Sequence, residues 1–318
     1  MSNTDIENRI SAAIKFKSLR ENHISSFSFM FRKVSSSFLL PRIARFINKY
    51  FYKIGLGAAL NRYDNTITLY SAFADNKLYQ EYNSQDLFCN FGSGAFFHKR
   101  WLNYDFPGQS KYYKNMQGKE GRDFYPIDLC EDNLKLPLSD NSVSLIYCSH
   151  TLEHIEESYA IKFISECYRV LKKNGVMRIV VPSTDQDHKI ISVLNSQNSI
   201  SKNLKQEVCK SVAIQILADS SAVTDEKLLN LMESCNYSSS CFYEECISNG
   251  VSNKFEMTNP ERHITYWDYN KLMNVGNSVD FLYCVPLYRG SSVASPFRNL
   301  NVFDNTESHS SLYFEMIK

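Results

Sequence analysis

Glycines and polar residues stand at the ends of several short apolar runs in the middle of the chain. They are Gly92, Ser93, Gly94, Asp105, Asp128, Ser149 and His150. Glycine lets a backbone come close to a ligand. A carboxylate can accept hydrogen bonds from a ribose diol or from an exocyclic amine. This combination is typical of a site for a nucleoside that carries a charged tail.

Three histidines are candidates for acid–base chemistry, because histidine titrates near neutral pH. His150 and His154 are four residues apart with Glu153 between them, and His263 follows Arg262 much later in the chain. At the start of a predicted helix, the first two would share one face. A general base is one interpretation; a helix cap, packing against the nucleoside or a surface loop are the alternatives. Arg262 could pair with an anionic group of a substrate. No metal site is predicted, because the residues do not follow the order His-Glu-x-x-His.

Alternating strand and helix patterns would position these residues. A helix is predicted between residues 152 and 171, where apolar residues recur at spacings of three and four, with Gly175 as its left-handed cap. Such alternation indicates an α/β domain with a parallel sheet, in which ligands bind at the carboxyl ends of strands. The predicted strands are 87–91, 101–104, 143–148 and 176–181, with an edge strand or extended loop at 124–127 because of Pro126.

A dinucleotide-binding enzyme is the first alternative for a glycine turn that follows a strand. Its fingerprint, Gly-x-Gly-x-x-Gly, needs a third glycine and an acidic residue about 20 residues further on. Here Phe97 stands in place of the third glycine, and Asp105 comes eleven residues after Gly94. The glycine turn therefore does not indicate a dinucleotide.

Three longer stretches are more specific in combination than any one motif. They read LFCNFGSGAFFHKRWLNYD at 87–105, IDLCEDNLKLPLSDNSVSLIYCSHTLEHI at 127–155 and ECYRVLKKNGVMRIVVPS at 166–183. In this order they resemble the class I S-adenosylmethionine-dependent methyltransferases, of the type 11-like group found in bacterial polysaccharide and small-molecule pathways. The resemblance covers roughly residues 84–190.

That resemblance implies S-adenosyl-L-methionine as the cofactor. The glycine turn would contact the methionine and ribose portions of the cofactor. Asp105 would accept hydrogen bonds from the ribose hydroxyls, and Asp128 would flank the adenine. The full set of implied cofactor-binding residues is Gly92, Ser93, Gly94, Asp105, Asp128, Leu129, Cys148 and Ser149. His150, His154 and His263 are the candidate catalytic bases for an acceptor that carries a proton, such as a sugar hydroxyl.

The chain has 318 residues and a formal charge of only +1, but the charge is unevenly distributed. Its first 56 residues hold ten basic and three acidic residues, a net +7, which leaves −6 for the rest. The apolar residues from Pro41 onward recur as in an amphipathic helix. Such a helix would pack on the domain, or residues 27–56 would make peripheral contact with an anionic membrane. Nucleic acid is not an expected partner, because neither the whole chain nor the α/β part is basic.

Nine cysteines without a CxxC pair do not predict a structural zinc site. Several lie in apolar runs, where reduced thiols are expected, and this favours the cytoplasm. The polar start does not indicate a signal peptide, and no stretch approaches the ~18 apolar residues of a spanning helix. The expected location is therefore cytoplasmic or membrane-peripheral.

These observations predict an α/β protein with a Rossmann-like methyltransferase fold and a mostly parallel central sheet. It would comprise a basic helical N-terminal extension at 1–83 and an α/β domain at 84–318 with a helical insertion at about 191–258. The predicted function is methyl transfer from S-adenosylmethionine to a small-molecule or saccharide acceptor, as in surface-polysaccharide biosynthesis. The alternatives are a non-catalytic scaffold of the same fold, because the glycine motif is short, and a membrane- or partner-binding protein.

Overall fold

The chain was analysed as a computed structural model. It describes residues 3–21, 43, 46–47, 50, 58–60, 67–69, 78–94, 100–108, 117, 124–184, 192–193, 196, 201–217, 225–300, 302–304 and 311–318. The amphipathic helix predicted from residue 41 onward, and most of the basic segment 27–56, lie outside the described residues. No helix within the described ranges is both long and apolar enough to cross a membrane.

A seven-stranded sheet forms the centre of the protein. Its order is β5-β4-β3-β6-β7-β9-β8, and β9, which pairs antiparallel with both of its neighbours, is the one strand of this sheet that runs against the others. This mostly parallel sheet confirms the predicted α/β class. The strands are β3 (Leu87–Phe91), β4 (Leu102–Asp105), β5 (Tyr125–Pro126), β6 (Val143–Ser149), β7 (Leu171–Pro182), β8 (Tyr283–Leu287) and β9 (Ser311–Ile317).

The helices that accompany the sheet differ in detail from the sequence prediction. A single 3-10 turn, Leu152–His154, precedes the helix Glu157–Val170, and β7 begins at the next residue. The left-handed residue is Asn174, with φ 64°, so the prediction that Gly175 forms the cap was wrong. Gly175 serves close packing instead, because a Cβ there would lie 2.8 Å from the carbonyl oxygen of Lys172. The described helices are α1 (Asn3–Glu21), α2 (Glu157–Val170), α3 (Lys202–Ile216), α4 (Asp225–Ser234), α5 (Ser239–Ser248) and α6 (Tyr269–Ser278).

Apolar side chains cover both faces of the central sheet, because β6 and β7 are nearly continuous apolar runs. One face packs against α2 and α6 through residues such as Phe91, Phe163 and Leu272. The other carries Phe88 and Val180 together with Phe297, Phe303 and the buried residues of α1. Helix α1 of the predicted extension therefore shares a core with the sheet.

The predicted extension also contains strand structure. Strands β1 (Ala58–Leu60) and β2 (Ile67–Leu69) pair in antiparallel fashion and form a two-stranded sheet of their own. The sequence had predicted a basic helical extension at 1–83, but the segment also contains these two strands.

Helices α3, α4 and α5 share a small apolar core of their own, built around residues such as Met232 and Phe242. Within it, Cys235 and Cys241 form a disulfide that joins the end of α4 to the start of α5. The expectation that the cysteines are all reduced was therefore wrong for this pair, which lies only six residues apart. The other seven cysteines are free thiols.

Candidate functional site

A cavity of about 350 Å³ opens beside the carboxyl ends of β3, β4 and β6. The chain leaves β3 to build the sheet outward through β4 and β5, and then returns to place β6 on the other side of β3. Loops therefore diverge at the β3–β6 boundary, which is the topological switch point where open α/β sheets bind ligands. Eight of the predicted site residues line this cavity: Gly92, Gly94, Asp105, Asp128, Leu129, His150, His154 and His263.

Three predicted site residues do not line the cavity. Cys148 is 1% exposed and points into the core cluster that contains Phe91 and Phe163. Ser93 is also buried, and its backbone N–H donates to the carbonyl of Tyr104 at 3.1 Å. Ser149 is the last residue of β6, beside His150, which does line the cavity.

Gly92 brings the first loop of the site into contact with the loop after β6. Its φ is +66°, and a Cβ at this position would lie 1.9 Å from the Thr151 hydroxyl oxygen. Only glycine combines that backbone conformation with so close an approach. The turn continues through Gly94, whose φ is +51°.

Asp105 ends β4 with a buried carboxylate that is 3% exposed. Its Oδ2 accepts the backbone N–H of Gly94 at 2.9 Å, and its Oδ1 accepts that of Phe106 at 2.9 Å. The side chain of Gln117 donates to Oδ2 at 3.3 Å. This carboxylate therefore ties the glycine turn to β4, at the position where the hydroxyls of a ribose would be bound.

Another part of the cavity wall comes from the loop after β5. Asp128 Oδ1 accepts the backbone N–H of Cys130 at 2.8 Å, and Leu129 is buried beside it. Further along this loop, Arg169 of α2 donates to the carbonyl oxygens of Leu136 and Leu138, both at 3.0 Å. The loop that carries the predicted adenine contacts is thereby fixed to α2.

The three candidate catalytic histidines converge on one buried carboxylate. Glu153 is 1% exposed, and its Oε1 lies 3.1 Å from His150 Nδ1 and 3.9 Å from His154 Nε2. The ring of His263 packs edge-on against that of His154, with 4.9 Å between centroids. Neither Glu153 oxygen has a partner in hydrogen-bond geometry among the described residues, although His150 Nδ1 lies 3.1 Å from Oε1.

The cluster does not arise from a shared helix face, as the spacing of His150 and His154 had predicted. His150 has φ 50° and lies just before the 3-10 turn 152–154, so the chain bends sharply there. The segment around His263 then docks on that turn. Ile264 N–H donates to the Glu153 carbonyl at 2.8 Å, and His154 Nδ1 lies 3.1 Å from the carbonyl of Arg262.

The electrostatics of this cluster follow from burial and from the neighbouring rings. Burial raises the pKa of the Glu153 carboxyl, but the hydrogen bond and charges of the surrounding histidines outweigh burial and lower that pKa to about 2. Burial lowers the pKa of His154 below its ordinary value, against the opposing pull of Glu153. Near neutral pH the cluster thus combines an ionised carboxylate with a neutral His154.

Several lining residues escaped the sequence analysis. Thr151, Phe106, Phe255 and Glu261 all line the cavity. Phe255 follows α5 and meets Phe106 edge-to-face at 6.4 Å, a contact across some 150 residues that no local pattern announces. Thr151 has a weak signal, since it directly follows the predicted strand-end residue His150.

Arg262 differs from its expected role as a partner of an anionic substrate. Its guanidinium is buried and donates to the carbonyl oxygens of Ser252 at 3.0 Å and Lys254 at 2.9 Å. It also lies 3.4 Å from Glu256. The side chain therefore holds the segment 252–256 against the site, and it positions the Arg262 carbonyl that contacts His154.

Comparison with known proteins finds a similarity to methyltransferases. Residues 99–179 match the family model described as a methyltransferase domain. An uncharacterised protein of Methanocaldococcus jannaschii is 30% identical over 139 residues, covering 39% of this chain and 56% of that protein. The chain therefore spans about half the length of this curated relative.

Solved structures of low similarity include two described as S-adenosylmethionine-dependent methyltransferases. One, from Archaeoglobus fulgidus, is 10% identical with a TM-score of 0.38, covering 76% of this chain and 91% of that chain. The other, from Aquifex aeolicus, is 21% identical with a TM-score of 0.24, covering 35% of this chain and 64% of that chain. The fold assignment rests on the strand order of the chain itself.

The family match covers β4, β5, β6 and α2, which are the elements that carry Asp105, Asp128 and the histidine pair. It confirms the resemblance that the three sequence stretches indicated, together with S-adenosylmethionine as the cofactor of that family. The residues that could hold this cofactor are the glycine turn, the buried Asp105 and the loop of Asp128, which line the cavity together. Residues 99–179 are therefore similar to a methyltransferase domain, and Asp105, Asp128, His150 and His154 lie within that stretch.

Proposed function

We propose that this protein transfers the methyl group of S-adenosylmethionine to a small-molecule or saccharide acceptor. The observation that carries the proposal is one cavity lined both by the glycine turn with Asp105 and Asp128 and by the three histidines. The glycine turn, Asp105 and Asp128 would hold the cofactor at one end, and the histidine cluster would face the acceptor at the other. Methyl transfer needs the acceptor atom in line with the sulfonium methyl, and holding both reactants in that geometry supplies much of the rate.

A hydroxyl acceptor, such as that of a sugar, would also need a base. His150 is the best-placed candidate, because its Nδ1 faces the Glu153 carboxylate and its Nε2 lies 2.9 Å from the Ser311 hydroxyl. A carboxylate on one ring nitrogen fixes the tautomer, so the other nitrogen can take a proton. A base in this position supports an acceptor that carries a proton. The hydroxyl of a saccharide methylated in surface-polysaccharide biosynthesis is such an acceptor.

The proposed division of the chain into an extension at 1–83, a domain at 84–318 and an insertion at about 191–258 fits this function. The separate apolar core of α3, α4 and α5 supports a distinct insertion. Phe255, close to its end, reaches the cavity wall. The insertion would thus cover the acceptor, and the reaction would take place in the cytoplasm or at the membrane surface if the basic segment 27–56 binds there.

Calorimetric titration of the full chain with S-adenosylhomocysteine tests the cofactor site. We expect stoichiometric binding, and we expect Asp105→Asn to weaken it by about 10- to 100-fold, the equivalent of one charge-assisted hydrogen bond. Glu244→Gln is the matched control, because that carboxylate is exposed on α5 and does not line the cavity. Absence of binding by the unaltered chain would favour the non-catalytic scaffold. Normal binding by Asp105→Asn would contradict the assignment of the ribose contact.

A further inference from the structure

We propose that Glu153, His154 and His263 bind a divalent transition-metal ion at the acceptor end of the cavity. Each of these residues offers one ligand atom, and the three atoms all lie within 4.8 Å of one another. A metal ion bound at about 2.0–2.2 Å from each atom would need only small side-chain rotations to draw them together. The sequence did not predict this site, because His263 is remote in the chain.

The carboxylate of Glu153 is the strongest indication of a missing partner. It is 1% exposed, and within the described part of the chain neither of its oxygens has a partner in hydrogen-bond geometry. A buried carboxylate oxygen without a partner costs free energy, because it has lost its water without replacement. His150 Nδ1 lies 3.1 Å from Oε1, so the carboxylate keeps lone pairs on its oxygens that a metal ion could use.

The orientation of His154 suits a metal ligand. Its Nδ1 lies 3.1 Å from the backbone carbonyl of Arg262, to which it can only donate, so the lone pair is on Nε2. Nε2 faces Glu153 Oε1 at 3.9 Å. Ligating histidines typically donate their other ring N–H to a carbonyl or carboxylate, which fixes the ring and its tautomer. The anchored Arg262 side chain holds that carbonyl in place.

The ligand types indicate which metals fit. Two imidazole nitrogens and one carboxylate oxygen suit Zn²⁺ and neighbouring first-row ions, whereas Ca²⁺ and Mg²⁺ prefer sites made of oxygen. Three protein ligands leave a coordination position open, as in catalytic zinc sites. Because His154 and His263 line the cavity, that open position would face the acceptor.

The role of the ion rests on the proposed methyl transfer. A hydroxyl oxygen of the acceptor would bind the metal, which lowers the pKa of that hydroxyl. Its proton would pass to His150, which stays outside the ligand set. The oxygen would then form a bond to the methyl carbon while the carbon–sulfur bond breaks, with its electron pair left on sulfur. The products are the methylated acceptor, S-adenosylhomocysteine and a protonated His150.

The test uses the full chain after removal of metal by a chelator. Titration with ZnCl₂, followed by calorimetry and by elemental analysis after gel filtration, should show one equivalent bound. His263→Ala should weaken binding by more than the roughly 10- to 100-fold that loss of an outer-shell partner costs. Glu261→Gln should bind zinc as the unaltered chain does, because this neighbouring carboxylate lines the cavity but is not in the ligand set.

Two further measurements separate a lost ligand from a lost fold. His263→Cys should restore zinc binding, because a thiolate is also a zinc ligand. Substitution with Co²⁺ should give visible absorption bands that change in His263→Ala. Absence of a stoichiometric ion in the unaltered chain would overturn the proposal. So would a zinc affinity in His263→Ala or Glu153→Gln that equals the affinity of the unaltered chain. Titration with S-adenosylhomocysteine reports on the cofactor site independently, so metal binding and methyl transfer can fail separately.

Discussion

Gly92 carries more of the site than its size suggests. It lies where the turn after β3 meets the loop after β6, and the absent side chain leaves room for Thr151. Asp105 then holds the following amide, that of Gly94, from the neighbouring strand. The cofactor end of the cavity therefore depends on a backbone conformation as much as on side-chain chemistry.

The variant Gly92→Ala should lose affinity for S-adenosylhomocysteine and also lose stability. A non-glycine residue at positive φ costs roughly 1–2 kcal/mol, and the new Cβ would also overlap Thr151, which must move. Calorimetry and thermal denaturation measure the two effects. Gly250→Ala is the control, because Gly250 has φ +90° but a Cβ there would meet nothing within 4 Å. If both variants bind the ligand equally well, the contact with Thr151 does not shape the site.

At the scale of elements, α2 holds the loop between β5 and β6 in place. Arg169 forms two hydrogen bonds with Glu166, at 2.8 and 2.7 Å. Its other donors go to two carbonyls of that loop and to the carboxylate of Asp140. Glu166 in turn accepts the backbone N–H of Leu136 at 2.8 Å. Arg169 thus fixes the loop that carries Asp128 and forms part of the cavity wall.

Because Arg169 donates to it, the Glu166 carboxyl has a pKa below its ordinary value of 4.5. Such a group stabilises the fold at any pH above its unfolded pKa, and the contribution is lost as the pH falls through the lower folded pKa. Glu166→Gln should therefore reduce the free energy of unfolding by about 1.5–3 kcal/mol at pH 7. The difference from the unaltered chain should shrink below pH 4.5.

Urea denaturation at a series of pH values measures this difference. The control is Glu157→Gln on the same helix, whose ion pair with Lys271 is partly exposed and should contribute less than about 1 kcal/mol. A loss for Glu166→Gln that stays constant down to the lowest pH would contradict the assignment to the ionised pair.

At the scale of the whole molecule, a buried ion network joins distant parts of the chain. Arg178 of β7 contacts Asp304 at 2.6 Å and Glu315 of β9 at 2.8 Å, and all three side chains are fully buried. Arg178 also donates to the carbonyls of Ser291 and Tyr288. The hydroxyl of Ser291 donates to the Ala13 carbonyl, so the network reaches helix α1.

Replacing Arg178 by Met should destabilise the protein by about 3–5 kcal/mol, because two carboxyl groups would stay buried without their cation. Denaturation with guanidinium measures the loss. The triple variant Arg178→Met, Asp304→Asn, Glu315→Gln should recover part of it, since no charge is then left unpaired. A loss of unfolding free energy below about 1 kcal/mol for Arg178→Met would show that the network does not hold β7, β9 and Asp304 together.

Much of the fold was predictable because its signals are local. Strands β3, β4 and β6 lie within a residue or so of their predicted positions, since short apolar runs between turn residues are characteristic of buried parallel strands. The insertion of β9 between β7 and β8 was not predictable, because strand order depends on packing and not on the pattern within each strand.

The sequence by itself determined the α/β class, the glycine turn and the acidic residues at the strand ends, because each of these is a pattern of neighbouring residues. Tertiary structure alone decided that Thr151 requires a glycine at position 92 and that Glu153 gathers three histidines. His154 meets the Arg262 carbonyl across a separation of 108 residues. Contacts between residues so far apart in the chain depend on how the segment around His263 packs on the turn after β6. The periodicity of the sequence does not encode that packing.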